Sequence, residues 1–519
     1  MRIAPGAPAF FTHFIKPPRP QYLFRPFNLP LIFRPFIQPF ISHPWLRPFL
    51  HPTLRQPPQP QQPTSRTARV SLQNPDSSSP RNWEDKDMTQ RQDDPYIAKA
   101  NRQSYDRQQA IEQLTRGIPT WQDTNRNNKT EIAYSFKQGG FNDQQKQDAR
   151  QALTAWSDLA NLEFTEDGGA AEGRVTFGIS SLARPASGTY PTPHGRGGGT
   201  TLYNPASVTR ELMIHETGHA LGLQHPGNYN GVLDENKRVY AQDSTAHTVM
   251  SYFNAGYSGK QLGAKPLAPM MDDIAAIQKK YGANHQTRKE DNTYGFNSNT
   301  QRDYYTLNSA QDRFIACIWD GAGNDTLDVS GYQSNQNINL RAGSFSDVGG
   351  LEGNVSIARD CIIENAIGGH GHDTLIGNDA DNRLTGGAGG DQLRGGGGAD
   401  TFVYNNASDS TPEHPDTLMD FTSGTDRIDV SGAMKNANTA TLMLAQAFSR
   451  KAGETVLVYD EKTGHGSVSI DLTGDGRADL LINTRGQVKP EDIVQLKTAP
   501  LPASKSKRKR KQRLRRRRG

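Results

Sequence analysis

Only two cysteines occur in 519 residues, Cys317 and Cys361. Two thiols cannot build a disulfide-dense scaffold, so a packed core must hold the fold. They are either one bridge or two buried free thiols. Long apolar runs are also missing: none reaches the roughly eighteen residues of a membrane-spanning helix. An ordinary secretory leader is not expected, because Pro and Arg break the early apolar residues every few positions, as in Phe24-Arg25-Pro26-Phe27. Acid is absent from both ends. Residues 1–70 hold nine Lys or Arg, and residues 501–519 hold eleven, with no Asp or Glu in either stretch. The chain carries +5 in all; removing those twenty basic residues leaves −15 for residues 71–500. A body of that sign argues against a nucleic-acid-binding core and suits cation binding.

Proline is abundant in one place only. Residues 1 to about 63 hold sixteen of the 32 prolines. Proline fixes φ and removes backbone donors, so no helix or central strand persists there. Residues 1–95 therefore read as a low-complexity and pro-segment region, extended or disordered. Patterned sequence starts near Ser104. Ser104 to Arg116 reads as a helix with Ile111 and Leu114 inward and Gly117 as its stop. Thr130–Ser135 reads as a strand. Asn142 can cap a helix from Asp143 to Ala160, whose stripe of Ala149, Leu153, Trp156 and Leu159 reads as core. Val175–Ile179 is a strand, and Ala186 to Tyr203 is loop and strand lining a cleft. Met271–Tyr281 is a closing helix.

Between these elements lies the most specific signal in the chain. Residues 215–225 read H-E-x-x-H-x-x-G-x-x-H. His215 and His219 leave one helix face a turn apart. Pro205 and Ser207 offer a helix start upstream. Gly222 can end the helix in a left-handed turn and bring His225 back as a third imidazole. Three ligands leave a fourth tetrahedral position open, which marks a catalytic zinc site. Glu216 is the candidate general base.

From Thr293 the character changes to short strands and Gly-Asp turns. Four nine-residue copies, beginning at Gly368, Gly377, Gly386 and Gly395, fit G-G-x-G-x-D-x-U-x. Glycines permit the turns and each Asp offers a hard oxygen to Ca2+. Leu375, Leu384, Leu393 and Phe402 form an inward ladder. Two copies make one coil, pairing Asp373 with Asp391 and Asn382 with Asp400. The candidate calcium residues are Gly369, Gly371, Asp373, Asn382, Gly387, Gly389, Asp391, Gly396, Gly398 and Asp400. Asp325 joins them from a lone earlier copy at Gly321–Leu327. Asp471–Asp479 reads either as the first half of a calcium loop or as a simple turn, since no Glu closes it.

Thr248-Val249-Met250-Ser251-Tyr252 resembles the Met-turn of the metzincin metalloproteases. That resemblance implies Met250 as a hydrophobic floor under the histidines. It also implies Tyr252 as an extra zinc ligand that swings away to stabilise the oxyanion. Residues from about 100 to 494 resemble the serralysins, the bacterial secreted zinc proteases of that group. Beyond the zinc motif, His225–Asn230, Ala268–Gln278, Thr293–Ser298 and Ile363–Gly369 carry the likeness. The resemblance implies an α+β metzincin protease domain at 96–290. An all-β parallel β-roll and sandwich domain at 291–494 follows, with a secretion-signal-like end. It implies endopeptidase activity of broad preference on protein substrates, one catalytic Zn2+ and several structural Ca2+. It further implies a monomer exported by type I secretion machinery to the extracellular space. Residues 495–519 read as a polybasic disordered tail bearing on export or surface retention. A noncatalytic calcium-dependent adhesion protein is the rival reading, and the intact histidine motif argues against it.

Overall fold

The computed structural model describes residues 102–169, 171–192 and 197–497. The expectations for residues 1–95 and for the tail beyond 497 lie outside the described residues.

Helix α1, Arg107–Thr115, starts later than its pattern predicts. Asp106 accepts from Gln109 N while the Gln109 side chain accepts from Asp106 N, and this reciprocal cap sets the first turn. Strand β1, Thr130–Phe136, follows. Helix α2, Asp143–Ser157, is capped by Asn142 in the same way. Its expected stripe is buried, but it ends three residues before Ala160. The Asp158 carboxylate is drawn to Arg288 at 2.7 Å and to Arg302 at 2.7 Å, and Ala160 pairs with Ala283. Strands β2, Leu162–Glu166, and β3, Gly173–Ile179, precede β4, Ala186–Gly188, and β5, Thr200–Tyr203. They form one sheet in the order β2-β1-β3-β5-β4, parallel except for β4, which runs antiparallel at the edge.

Helix α3, Arg210–Ala220, packs on α2. Its start differs from expectation: Pro205–Ser207 is a separate 3-10 turn, and Thr209 caps α3 by accepting from Leu212 N. Helix α4, Met271–Tyr281, lies where the pattern places it and packs against α1.

Beyond Thr293 the nine-residue copies alternate between two sheets. Thr374–Ile376 and Gln392–Arg394 pair in parallel in one; Arg383–Thr385 and Thr401–Val403 pair in the other. Leu375 faces Leu393, and Leu384 faces Phe402, so one coil takes two copies. All four side chains are fully buried between the sheets. The lone earlier copy is part of this roll: Thr326–Asp328 pairs with Asn365–Ile367 in the second sheet. The first sheet continues into an antiparallel run of Glu454–Asp460, His465–Asp471 and Leu480–Arg485, and the chain remains in it through Lys497. Cys317 and Cys361 are buried free thiols. Ion pairs tie the roll to the first half, including a two-pronged bond from Arg210 on α3 to Asp303.

Because the inward ladder is the roll's core, Leu384→Ala should destabilise the protein by about 2–5 kcal/mol. Urea unfolding monitored by circular dichroism measures this, and a cost under about 1 kcal/mol would contradict the packing described.

Candidate metal centre and active site

Helix α3 ends in a left-handed glycine turn. Gly222 has φ +93°. Its N–H bonds His219 O, and Leu223 N bonds Gly218 O, both at 2.9 Å. A side chain at 222 would strike the Pro119 carbonyl. This turn, with Trp121 Nε1 donating to Ala220 O and Tyr281 Oη to Leu221 O, returns the chain beneath the helix.

Three imidazoles meet there. His225 Nε2 lies 3.2 Å from His215 Nε2 and 3.0 Å from His219 Nε2. Each ring's other nitrogen faces a backbone carbonyl: His215 Nδ1 that of Val249 at 2.8 Å, His219 Nδ1 that of Leu223 at 2.7 Å, His225 Nδ1 that of Tyr229 at 3.0 Å. A carbonyl only accepts, so each Nδ1 carries the proton and each Nε2 presents a lone pair. Three lone pairs at this spacing repel unless a cation lies between them. Ligand distances of about 2.0–2.1 Å in a tetrahedral zinc site place nitrogens about 3.3 Å apart, so the donor set fits zinc. Burial pushes His215 down to about 4 and His225 to about 3, and lowers His219 well below its usual value. All three stay neutral, as ligands must. Among the described residues no other group of three His, Cys, Asp or Glu converges in this way.

Glu216 is buried, and its Oε2 has no hydrogen-bond partner among the described residues. Burial raises its carboxyl to about 8. Gly188 on edge strand β4 lets that strand pass close to it, because a Cβ there would approach Glu216 Oε2 to 2.9 Å. Met250 is fully buried, and a Cβ at Gly218 would meet its Sδ at 2.5 Å, so the thioether packs directly against α3 at Gly218. The half-buried Tyr252 ring sits 4.5 Å from that of His225, and its hydroxyl accepts from Gly231 N at 3.2 Å.

Several supporting residues carry no sequence signal of their own. Asp273 on α4 accepts from Thr248 Oγ1 and Val249 N, fixing the turn whose carbonyl holds His215. Tyr229 supplies the carbonyl for His225 and donates its hydroxyl to Asp243 at 2.8 Å. In the roll, stacked position-six side chains form two ladders. Asp373 N donates to Asp391 Oδ1 and Asp391 N to Asp416 Oδ1. Asn382 N donates to Asp400 Oδ1 and Asp400 N to Asp426 Oδ1. Asp325 N donates to Glu364 Oε2. Glu364, Asp416 and Asp426 thus extend the predicted set. Two positions after each comes a buried apolar residue, Ala366, Leu418 and Ile428, as from position six to position eight of the repeat, but no glycine pair stands where a copy would open. A Cβ on Gly387 or Gly389 would strike the carbonyl of Gly369 or Gly371 one coil away, and one on Gly396 or Gly398 that of Asn378 or Ala380. Burial first, then neighbouring carboxylates, raises Asp391 to about 8, Asp400 to about 7 and Asp325 to about 8. The Asp471 carboxylate instead accepts from Gly474 N and Gly476 N, the geometry of a turn.

Comparison with known proteins agrees with this arrangement. Residues 283–495 match the family described as Peptidase M10 serralysin C terminal, and residues 130–258 match Peptidase M66. Metallopeptidase AprA of Pseudomonas marginalis is 43% identical over 438 residues, 75% of this chain and 91% of that protein. Serralysin of Photorhabdus laumondii is 42% identical over 412 residues, covering 70% and 86%. Serralysin G of Dickeya chrysanthemi is 41% identical over 437 residues, covering 75% and 91%. With that degree of identity along most of its relatives' length, and with three imidazoles converging inside the shared region, the chain belongs to the serralysin family of metalloproteases.

Proposed function

We propose that the protein is a secreted, monomeric zinc endopeptidase of broad specificity, in which His215, His219 and His225 hold the metal and Glu216 is the general base. The observation that carries this reading is the convergence of three Nε2 lone pairs whose Nδ1 protons are all committed to carbonyls. When bound, zinc supplies Lewis acidity that activates water and polarises a carbonyl. Glu216 has a free, buried oxygen with which to take the proton of the attacking water and return it to the leaving amine. Tyr252, whose ring lies beside that of His225, would donate to the developing oxyanion. Strand β4 is a sheet edge running past Glu216, so an extended substrate segment can add to it by backbone hydrogen bonds. Backbone pairing reads few side chains, which supports broad preference.

Calcium bound by the stacked Asp side chains and glycine carbonyls of the roll would fold that half, outside the cell where Ca2+ is plentiful. Export by a type I channel rests on the family resemblance of residues 291–494. Among the described residues no helix is long and apolar enough to cross a membrane.

Casein hydrolysis by calcium-refolded protein tests the reading. Activity should vanish on zinc chelation with calcium maintained and return with zinc. Activity indifferent to the chelator would overturn it; a folded, zinc-loaded chain without activity would favour a noncatalytic calcium-binding role.

A further inference from the structure

His225 is held differently from its two partners. His215 and His219 ride on α3, whose hydrogen-bonded backbone fixes their spacing. His225 lies beyond the Gly222 turn, in a segment that is neither helix nor strand. Its placement must come from elsewhere in the chain.

The source is the end of α1. Three successive carbonyls follow the turn, and each accepts a side chain from that helix end. Arg116 Nη1 donates to His225 O at 2.8 Å and Nη2 to Gly227 O at 3.2 Å. Gln113 Nε2 donates to Pro226 O at 2.8 Å. In return Gln224 N donates to Leu114 O at 2.7 Å, and the Gln224 side chain donates to Arg116 O. Residues 224–227 thus hang on a helix end that lies 108 to 113 residues earlier in the sequence. The segment leading into α1 is itself pinned: Arg102 donates to Glu235 O at 2.7 Å and Arg238 O at 3.0 Å, and Ala241 N to Gln103 O at 2.9 Å.

We propose that Arg116 and Gln113 are positioning residues for the third metal ligand, and that their clamp sets the affinity of the site for its ion. The inference rests on reading the triad as a zinc site. A guanidinium is a rigid fork, so its two bonds fix the orientation of the peptides on both sides of Pro226. An ammonium is a flexible point charge without that planar fork, so it holds the two carbonyls less rigidly. Neither residue contacts the Nε2 face of the triad, so the effect falls on metal retention and not on substrate binding.

The test measures the zinc dissociation constant of the full chain by competition with a chromophoric chelator. Arg116→Met should bind zinc about 10- to 100-fold more weakly than wild type, the usual effect of losing an outer partner of a ligand. Arg116→Lys should fall between the two, and Gln113→Leu should weaken binding in the same direction. KM for a peptide substrate and the melting temperature of the zinc-free protein should stay at wild-type values. Zinc affinity within twofold of wild type in both Arg116→Met and Gln113→Leu overturns the clamp. So does a loss that tracks a fall in zinc-free melting temperature across all three variants, which marks a general folding role. His225→Ala is the control for the underlying reading. If it binds zinc as tightly as wild type, the triad assignment itself fails, a result distinct from failure of the clamp.

Discussion

Glu216→Ala should lower peptide turnover by roughly 10²- to 10⁴-fold while the protein keeps one zinc per chain. The two halves of this expectation have separate causes. The metal is to be held by Nε2 atoms of three histidines whose Nδ1 partners are backbone carbonyls, and Glu216 takes part in none of those bonds. Its Oε2 is buried, without a hydrogen-bond partner among the described residues, and lies close to Gly188 on β4. Removing the carboxylate takes away a proton acceptor and leaves the ligands in place. Turnover of a quenched peptide and zinc content of the same preparation measure both halves. Undiminished turnover would refute the general-base assignment. Loss of zinc together with activity would mean that the carboxylate helps to hold the metal.

Withdrawal of calcium should unfold the roll as pH rises. Asp325 and Asp391 are pushed up to about 8 and Asp400 to about 7, by burial and then by neighbouring carboxylates, from an ordinary value of 3.8. A raised folded-state value means that the folded roll holds these protons more tightly than the unfolded chain does. Their stabilising effect is complete below about pH 4 and disappears as pH rises toward 8. Calcium bound to the deprotonated ladder would reverse the sign, stabilising the folded state by mass action, about 2.7 kcal/mol at a hundred times its dissociation constant. The melting temperature in a calcium chelator should therefore fall between pH 5 and pH 8, and millimolar calcium should abolish that fall. Asp391→Asn should raise the chelated midpoint at pH 8 and shrink the gain from calcium. A chelated midpoint that does not change with pH would rule out this account of the ladder.

How much of this protein is legible in its sequence follows from how local each cause is. The zinc motif spans eleven residues, and its chemistry depends on helical spacing and one left-handed glycine, both written in adjacent positions. The roll repeats itself, so position eight could be placed in the core at Leu375, Leu384, Leu393 and Phe402, and the two-copy coil follows from the period. Helix ends were less legible. Asp106 and Thr209 won over earlier candidates through caps made by individual side chains, and α2 stops short because Asp158 is claimed by two arginines more than a hundred residues away.

The residues that support the site were not legible at all. Arg116, Gln113 and Asp273 act on backbone carbonyls and N–H groups, which every residue possesses, so no pattern of side chains advertises the partner. Glu364, Asp416 and Asp426 join the ladders through strand register, on either side of the glycine-bearing copies. By itself the sequence determined which residues can do the chemistry, because ligand type, charge and local spacing are properties of the chain. The tertiary structure alone decided which backbone groups hold them in place, because those bonds are made between segments that only folding brings together.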